Sequence, residues 1–199
     1  MTRGISQLRR DDLLKAACEV IAAHGFGHTR TLDIARAAGV SQALLFYHFA
    51  TKDQLFAQAF EYAARRDLDA LARLERSAAP PLERMRTLLK LYSPAGSAKA
   101  WRLWIDAWSE SMRSPALEST SRRLDLMWKD ACQEVIENGV ASGAFTCADP
   151  EGATWRILCL YDGLAVQATV HRGVLTRRRM AELVRTAVAA ELGVSADDL

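Results

Sequence analysis

The 199-residue chain is half hydrophobic and one quarter charged, with only 11 glycines and 5 prolines, which excludes a disordered polypeptide. Its net charge of +2 excludes a protein that coats nucleic acid by charge alone. Ala, Leu, Arg and Glu are abundant and β-branched runs scarce, so the predicted fold class is all-α, with about nine helices.

No apolar run approaches the ~20 residues that span a bilayer, and the polar, basic start before Asp11 lacks the apolar stretch of a secretory leader. Cys18, Cys132, Cys147 and Cys159 have no C-x-x-C spacing and read as reduced, mostly buried thiols. A soluble cytoplasmic protein that uses no cofactor and meets no membrane is expected.

The first helix is predicted over 10–24, where Leu14, Cys18 and Ile21 recur at i, i+4, i+7 and Asp11 and Asp12 occupy the first turn. Gly25 stands at its C-terminal stop, and Phe26 is placed to fold back onto the apolar face. Thr31 reads as the N-cap of a second helix running to Ala38. Gly39 and Val40 form a tight turn, and Ser41 caps a short third helix reaching His48. Thr51 and Gln54 form a capping box that opens a long fourth helix toward Arg76. Further helices are predicted over 82–92, 99–113, 116–138, 150–171 and 176–192, with loops at 93–97, Ser114-Pro115, 138–150 and 171–176. The chain divides into an amino-terminal domain, 1–52, and a carboxy-terminal one, 53–199.

The first 53 residues carry seven Lys or Arg against five acids, so all the net positive charge lies there. Two helices joined by a short Gly-containing turn, as over 31–48, make a helix-turn-helix, whose second helix lies in the major groove of DNA. Leu45 and Phe49 pack inward, which leaves Gln42, Ala43, Phe46 and Tyr47 on the opposite face, with His48 and Lys52 beside its end. Gln42 has the amide that pairs with adenine N6 and N7. Thr31, Tyr47, His48 and Lys52 suit phosphate oxygens, as do the backbone N–H groups that follow Ser41. Ala43 or Leu44 can meet a thymine methyl group. Phe46 reads equally as a core aromatic or a groove residue. Arg3, Arg9 and Arg10 read as a basic arm.

The segment 13–56 resembles the TetR family of repressors. The likeness rests on Gly25-Phe26, Thr31, Asp33-Ile34-Ala35, Ala38-Gly39-Val40-Ser41, Leu45-Phe46-Tyr47-His48-Phe49 and Lys52. It implies a ligand-responsive repressor that binds a pseudo-palindromic operator as a homodimer. Thr31, Gln42, Phe46, Tyr47, His48 and Lys52 then fall where such proteins touch DNA. Ala43 stands where many members have glycine, so the operator does not follow from relatives.

The carboxy-terminal half is similar to the subgroup that includes the choline-responsive repressors, through Trp101, Trp104, Trp108, Pro115, Trp128, Gly143-Ala144-Phe145, Tyr161-Asp162-Gly163-Leu164 and Gln167. Trp101, Trp104 and Trp108 form one stripe at i, i+3, i+7, either packed core or the wall of a small-molecule effector pocket. Asp106, Glu110, Asp125, Asp162 and Gln167 are the polar candidates beside it. Tryptophan faces with a carboxylate suit a cation. The helix at 150–171 is apolar nearly all round and must be buried on two sides; the resemblance implies that it pairs with 176–192 in a dimer bundle. No H-E-x-x-H, Walker loop or G-x-S-x-G is present, so no enzyme is expected.

Overall fold

The computed structural model describes the backbone of residues 2–93, 98–171 and 173–199, and the side chains of 10–93, 101–171 and 173–199. The described residues form nine α-helices and a closing 3₁₀ turn, and no strand is among them. The helices are α1 (Thr2–His24), α2 (Thr31–Ala37), α3 (Gln42–His48), α4 (Lys52–Glu75), α5 (Pro81–Tyr92), α6 (Ala98–Ser111), α7 (Pro115–Ala141), α8 (Pro150–Val170) and α9 (Arg177–Leu192). The all-α expectation holds, and most predicted boundaries fall within two or three residues of the observed ones. Of the predicted loops, residues 94–97 and Arg172 lie outside the described residues.

The chain packs as two units, Met1–Arg66 with Arg102–Leu124, and Asp67–Trp101 with Asp125–Leu199. In the first, α1 buries Leu13, Leu14, Ala17 and Ile21. It stops at Gly25, whose φ of 81° is left-handed and whose N–H still reaches Ile21 O at 2.7 Å. The turn drops Phe26, fully buried, edge-on against Phe56 and Phe60 of α4, with ring centroids 5.6 and 6.2 Å away. Each such buried ring stabilises the unit by roughly 1.5–3 kcal/mol through removal from water.

Two expectations fail here. α1 begins at Thr2 rather than at residue 10, so the backbone of the proposed basic arm is helical. The side chains of Arg3 and Arg9 lie outside the described residues, and Arg10 is no free arm. Its guanidinium donates to Gln58 Oε1 at 2.6 Å and lies over the Phe49 ring. Nor does Thr31 cap α2: Arg30 holds the cap position, with no side-chain cap bond, and Thr31 is the first helical residue. Ser41 caps α3 by accepting from Leu44 N, and Thr51 caps α4 by accepting from Gln54 N.

In the second unit α5, the latter part of α7, α8 and α9 surround a core of Met85, Leu88, Val135, Ile136, Ile157, Leu158, Val184 and Val188. Arg156 ties α8 to α9 through a bidentate pair with Glu191 at 2.7 and 2.8 Å. Buried Arg84 of α5 donates to Glu134 of α7 at 3.0 Å. The outer face of α8 leaves Trp155, Leu160 and Val170 exposed, in line with Gly163 and Gln167. Cys159 is exposed on this face too, against the expectation of a buried thiol. No helix among the described residues is long and apolar enough to cross a membrane.

Candidate functional site

α3 is seven residues long, too short to persist alone, and its burial rests on Leu45 with Phe49 just beyond its end. Those two anchors fix which way the rest of the helix faces. Ser41, Gln42, Ala43, Phe46 and Tyr47 are exposed, with Tyr47 83% and Phe46 41% accessible. Phe46 is therefore not a core aromatic. His48 is half-buried and lies edge-on to Tyr47, with centroids 5.4 Å apart, so the histidine supports the tyrosine. Lys52 opens α4, exposed, with its ammonium 4.8 Å from the centroid of the Phe56 ring. From the preceding helix Thr31 meets Gln42: Gln42 Nε2 donates to Thr31 Oγ1 at 2.7 Å. The surface therefore gathers hydroxyl, amide, phenol and ammonium groups around a small apolar residue, Ala43. Such groups can take phosphate oxygens and base edges, and none of them is buried.

The second cluster lies wholly in the second unit. Tyr92, at the end of α5, is met edge-on by three rings: Trp101 of α6 at 5.9 Å, Trp128 of α7 at 5.1 Å and Tyr161 of α8 at 5.2 Å. The Tyr92 hydroxyl donates to Asp162 Oδ1 at 2.7 Å, and the Tyr161 hydroxyl donates to Leu89 O at 3.0 Å. Burial pushes the Asp162 carboxyl up to about 6, partly offset by the Tyr92 hydrogen bond. Burial and the nearby Asp162 and Asp125 charges push Tyr92 far above the ordinary phenol range. The cluster thus sets four mutually packed aromatic rings beside a carboxylate that is costly to leave charged without a counter-ion.

Of the residues singled out in the sequence, Trp101, Trp128, Asp125 and Asp162 come together here. Trp104 and Trp108 do not: Trp104 packs on Phe60 at 4.8 Å and Trp108 on Trp104 at 6.1 Å, both in the first unit. Gln167 is exposed on α8. Asp106 lies in the first unit, where its Oδ2 accepts the Phe26 N–H at 2.7 Å and so holds the α1–α2 turn. Glu110, expected beside the pocket, pairs with Arg113 at 3.3 Å in that same unit. Tyr92 is the member that sequence reasoning missed, and Tyr161 entered it only as part of the family likeness. Tyr161-Asp162 was a visible signal; Tyr92, beside a loop, gave none.

Residues 13–59 match the family described as bacterial regulatory proteins, tetR family, and residues 81–193, more than half of the chain, match the carboxy-terminal domain of BetI-type transcriptional repressors. The chain is 25% identical over 196 residues to the HTH-type transcriptional regulator BetI of Rhizobium meliloti, covering 98% of this chain and 94% of that one. With the regulator of the same name from Stenotrophomonas maltophilia it shares 27% over 126 residues, which is 62% of this chain and a little under two thirds, 64%, of the relative. A solved structure of a transcriptional regulator from Saccharomonospora viridis in complex with choline superposes with a TM-score of 0.84 at 24% identity, covering 94% of this chain and 98% of that one. The chain thus belongs to the TetR family, with a BetI-type carboxy-terminal domain, and is a DNA-binding transcriptional regulator rather than an enzyme.

Proposed function

We propose that the protein is a repressor that binds a pseudo-palindromic operator as a homodimer and releases it when a small quaternary ammonium compound, such as choline, enters the Tyr92 cluster. The observation that carries the DNA reading is the α3 face: its two apolar anchors are buried, while Ser41, Gln42, Ala43, Phe46, Tyr47 and Lys52 are exposed and Thr31 and His48 half-buried beside them. Thr31, Tyr47, His48 and Lys52 hold phosphates, while Ser41, Gln42, Ala43 and Phe46 face the groove. In this reading residues 1–52 do the reading of DNA and 53–199 the sensing and pairing. Two recognition helices must sit about 34–36 Å apart to enter successive major grooves, which requires a dimer. The apolar outer face of α8, with α9, supplies the pairing surface: Trp155, Leu160 and Val170 lie exposed along it.

The effector class is supported by the aromatic rings around Tyr92 with Asp162 beside them, and by the choline held in the Saccharomonospora viridis relative. Transmission runs along α6. Trp101 belongs to the aromatic cluster, and five residues later on the same helix Asp106 holds the α1–α2 turn while Trp104 packs on α4. A shift of α6 by the ligand moves both contacts and with them the spacing of the recognition helices. A coupling of ~1–3 kcal/mol suffices for a 5–150-fold change in affinity.

The experiment is a titration of the purified protein onto DNA from upstream of its own gene, against scrambled duplex, followed by addition of choline to the complex. Selective binding that choline reverses is the expected result. Selective binding that neither choline nor betaine alters would overturn the effector reading and leave the DNA reading standing.

A further inference from the structure

Thr31 is the first residue of α2, one place past the cap position that Arg30 holds, and its hydroxyl takes no cap bond from that helix. It is turned instead across the helix-turn-helix to accept from Gln42 Nε2 at 2.7 Å, a bond between side chains eleven residues apart and on different helices. Gln42 is likewise not the cap of its own helix, because Ser41 fills that role. Both side chains are therefore released from local backbone duty and tied to each other. A glutamine on an exposed surface is otherwise free about three bonds, so this tie sets the direction in which its amide faces.

The donors and acceptors can be counted. One N–H of the Gln42 amide is used on Thr31, leaving the carbonyl oxygen and the second N–H. That remaining pair, one acceptor beside one donor, complements the N6–H and N7 edge of adenine in the major groove. The Thr31 oxygen is the acceptor in the bond, so its own O–H is left to donate outward, and a DNA phosphate is the acceptor such a hydroxyl meets. Hydrogen bonds in series polarise one another: once the phosphate takes the Thr31 proton, the hydroxyl oxygen accepts more strongly from Gln42.

Building on the reading of α3 as the recognition helix, we infer that Thr31 and Gln42 form a single reading unit running from phosphate to base. In this unit Thr31, which touches no base, is a specificity-determining residue. A phosphate contact ordinarily positions a protein without carrying sequence information; here the same contact fixes the amide that reads the sequence.

The test uses the full-length protein and a pool of randomised duplex DNA, from which bound sequences are selected and read for the wild type, Gln42→Ala, Thr31→Val, Thr31→Ser and the Thr31→Val/Gln42→Ala pair. The position whose preference vanishes in Gln42→Ala marks the base read by the amide. Affinities are then measured for the selected duplex and for one with that base pair exchanged. The wild type is expected to discriminate by about tenfold or more, the scale of a good bidentate contact. Thr31→Val, which keeps the shape and removes the hydroxyl, is expected to reduce that ratio to within about twofold, and Thr31→Ser to retain it. In the double variant the valine is expected to remove no further discrimination, because the amide that it served is gone. If Thr31→Val weakens binding to both duplexes by one common factor, Thr31 is a plain phosphate contact and the inference is overturned, while the reading of α3 survives. If Gln42→Ala selects the same sequences as the wild type, the reading of α3 and the inference fall together.

Discussion

Tyr47 exposes 83% of its surface and Tyr161 only 3%, and the contrast extends to the regions around them. The α3 face holds its functional groups outside the core, on a helix anchored by Leu45 and Phe49, so those groups contribute little to folding. The Tyr92 cluster does the opposite. Its rings pack on one another, its hydroxyls bond to Asp162 and to the backbone of α5, and the same atoms that would hold a ligand hold the unit together. Function and stability are separable in the first region and joined in the second. On the proposed function the difference follows from the two ligands: DNA is large, charged and approached from outside, whereas a small cation is gripped only by surfaces that enclose it.

The largest effect that would break this comparison is Trp128→Ala. Loss of a buried ring is expected to cost ~3–5 kcal/mol, read by denaturant unfolding. A variant of unchanged stability would mean that the cluster is a lining and no part of the core. Next comes Tyr47→Ala, expected to lose ~1.5–3 kcal/mol of operator binding while unfolding stays within about 0.5 kcal/mol of the wild type. A comparable loss of folding stability would show that the face is load-sharing after all. Asp106→Ala leaves the Phe26 N–H without its acceptor; it is expected to destabilise the protein by ~1–3 kcal/mol and to blunt the release of DNA by choline. Unblunted release would remove α6 from the transmission path.

The smallest effect sharpens the contrast through pH. The Asp162 carboxyl is raised from 3.8 to about 6 in the folded protein, so its favourable contribution to the empty state is present below about 3.8 and is lost as pH rises through 6. A cation binds the ionised form, so choline affinity is expected to fall up to about tenfold per pH unit below 6. Binding measured by calorimetry between pH 5 and 8 checks the sign, and Asp162→Asn is expected to flatten the profile.

The helical layout could be read from the sequence because its punctuation is local: Gly25, Ser41 and Thr51 each act within a turn or two. The exposed α3 face could be read as well, since two buried residues at i, i+4 decide where the others point. The Tyr92 cluster could be read only in part. A stripe such as Trp101, Trp104 and Trp108 gives an angle about the axis of α6, and nothing in that angle says which element covers each turn. One helix therefore sends Trp101 to Tyr92 and Trp104 to Phe60. Asp106 eluded the sequence for the same reason, because its acceptor role depends on a turn eighty residues away. Thr31 was misplaced by one residue, enough to turn a cap into a side-chain contact.

The central claim is that the α3 face reads DNA under the control of the aromatic cluster. Its most direct test is operator affinity of wild type and Tyr47→Ala across a salt series, with and without choline. The account predicts wild-type binding that is sequence-selective, weakens steeply with salt and is relieved by choline, and a Tyr47→Ala protein that is folded yet weak in every condition. Equal affinity of the two proteins for specific and scrambled duplex would contradict it.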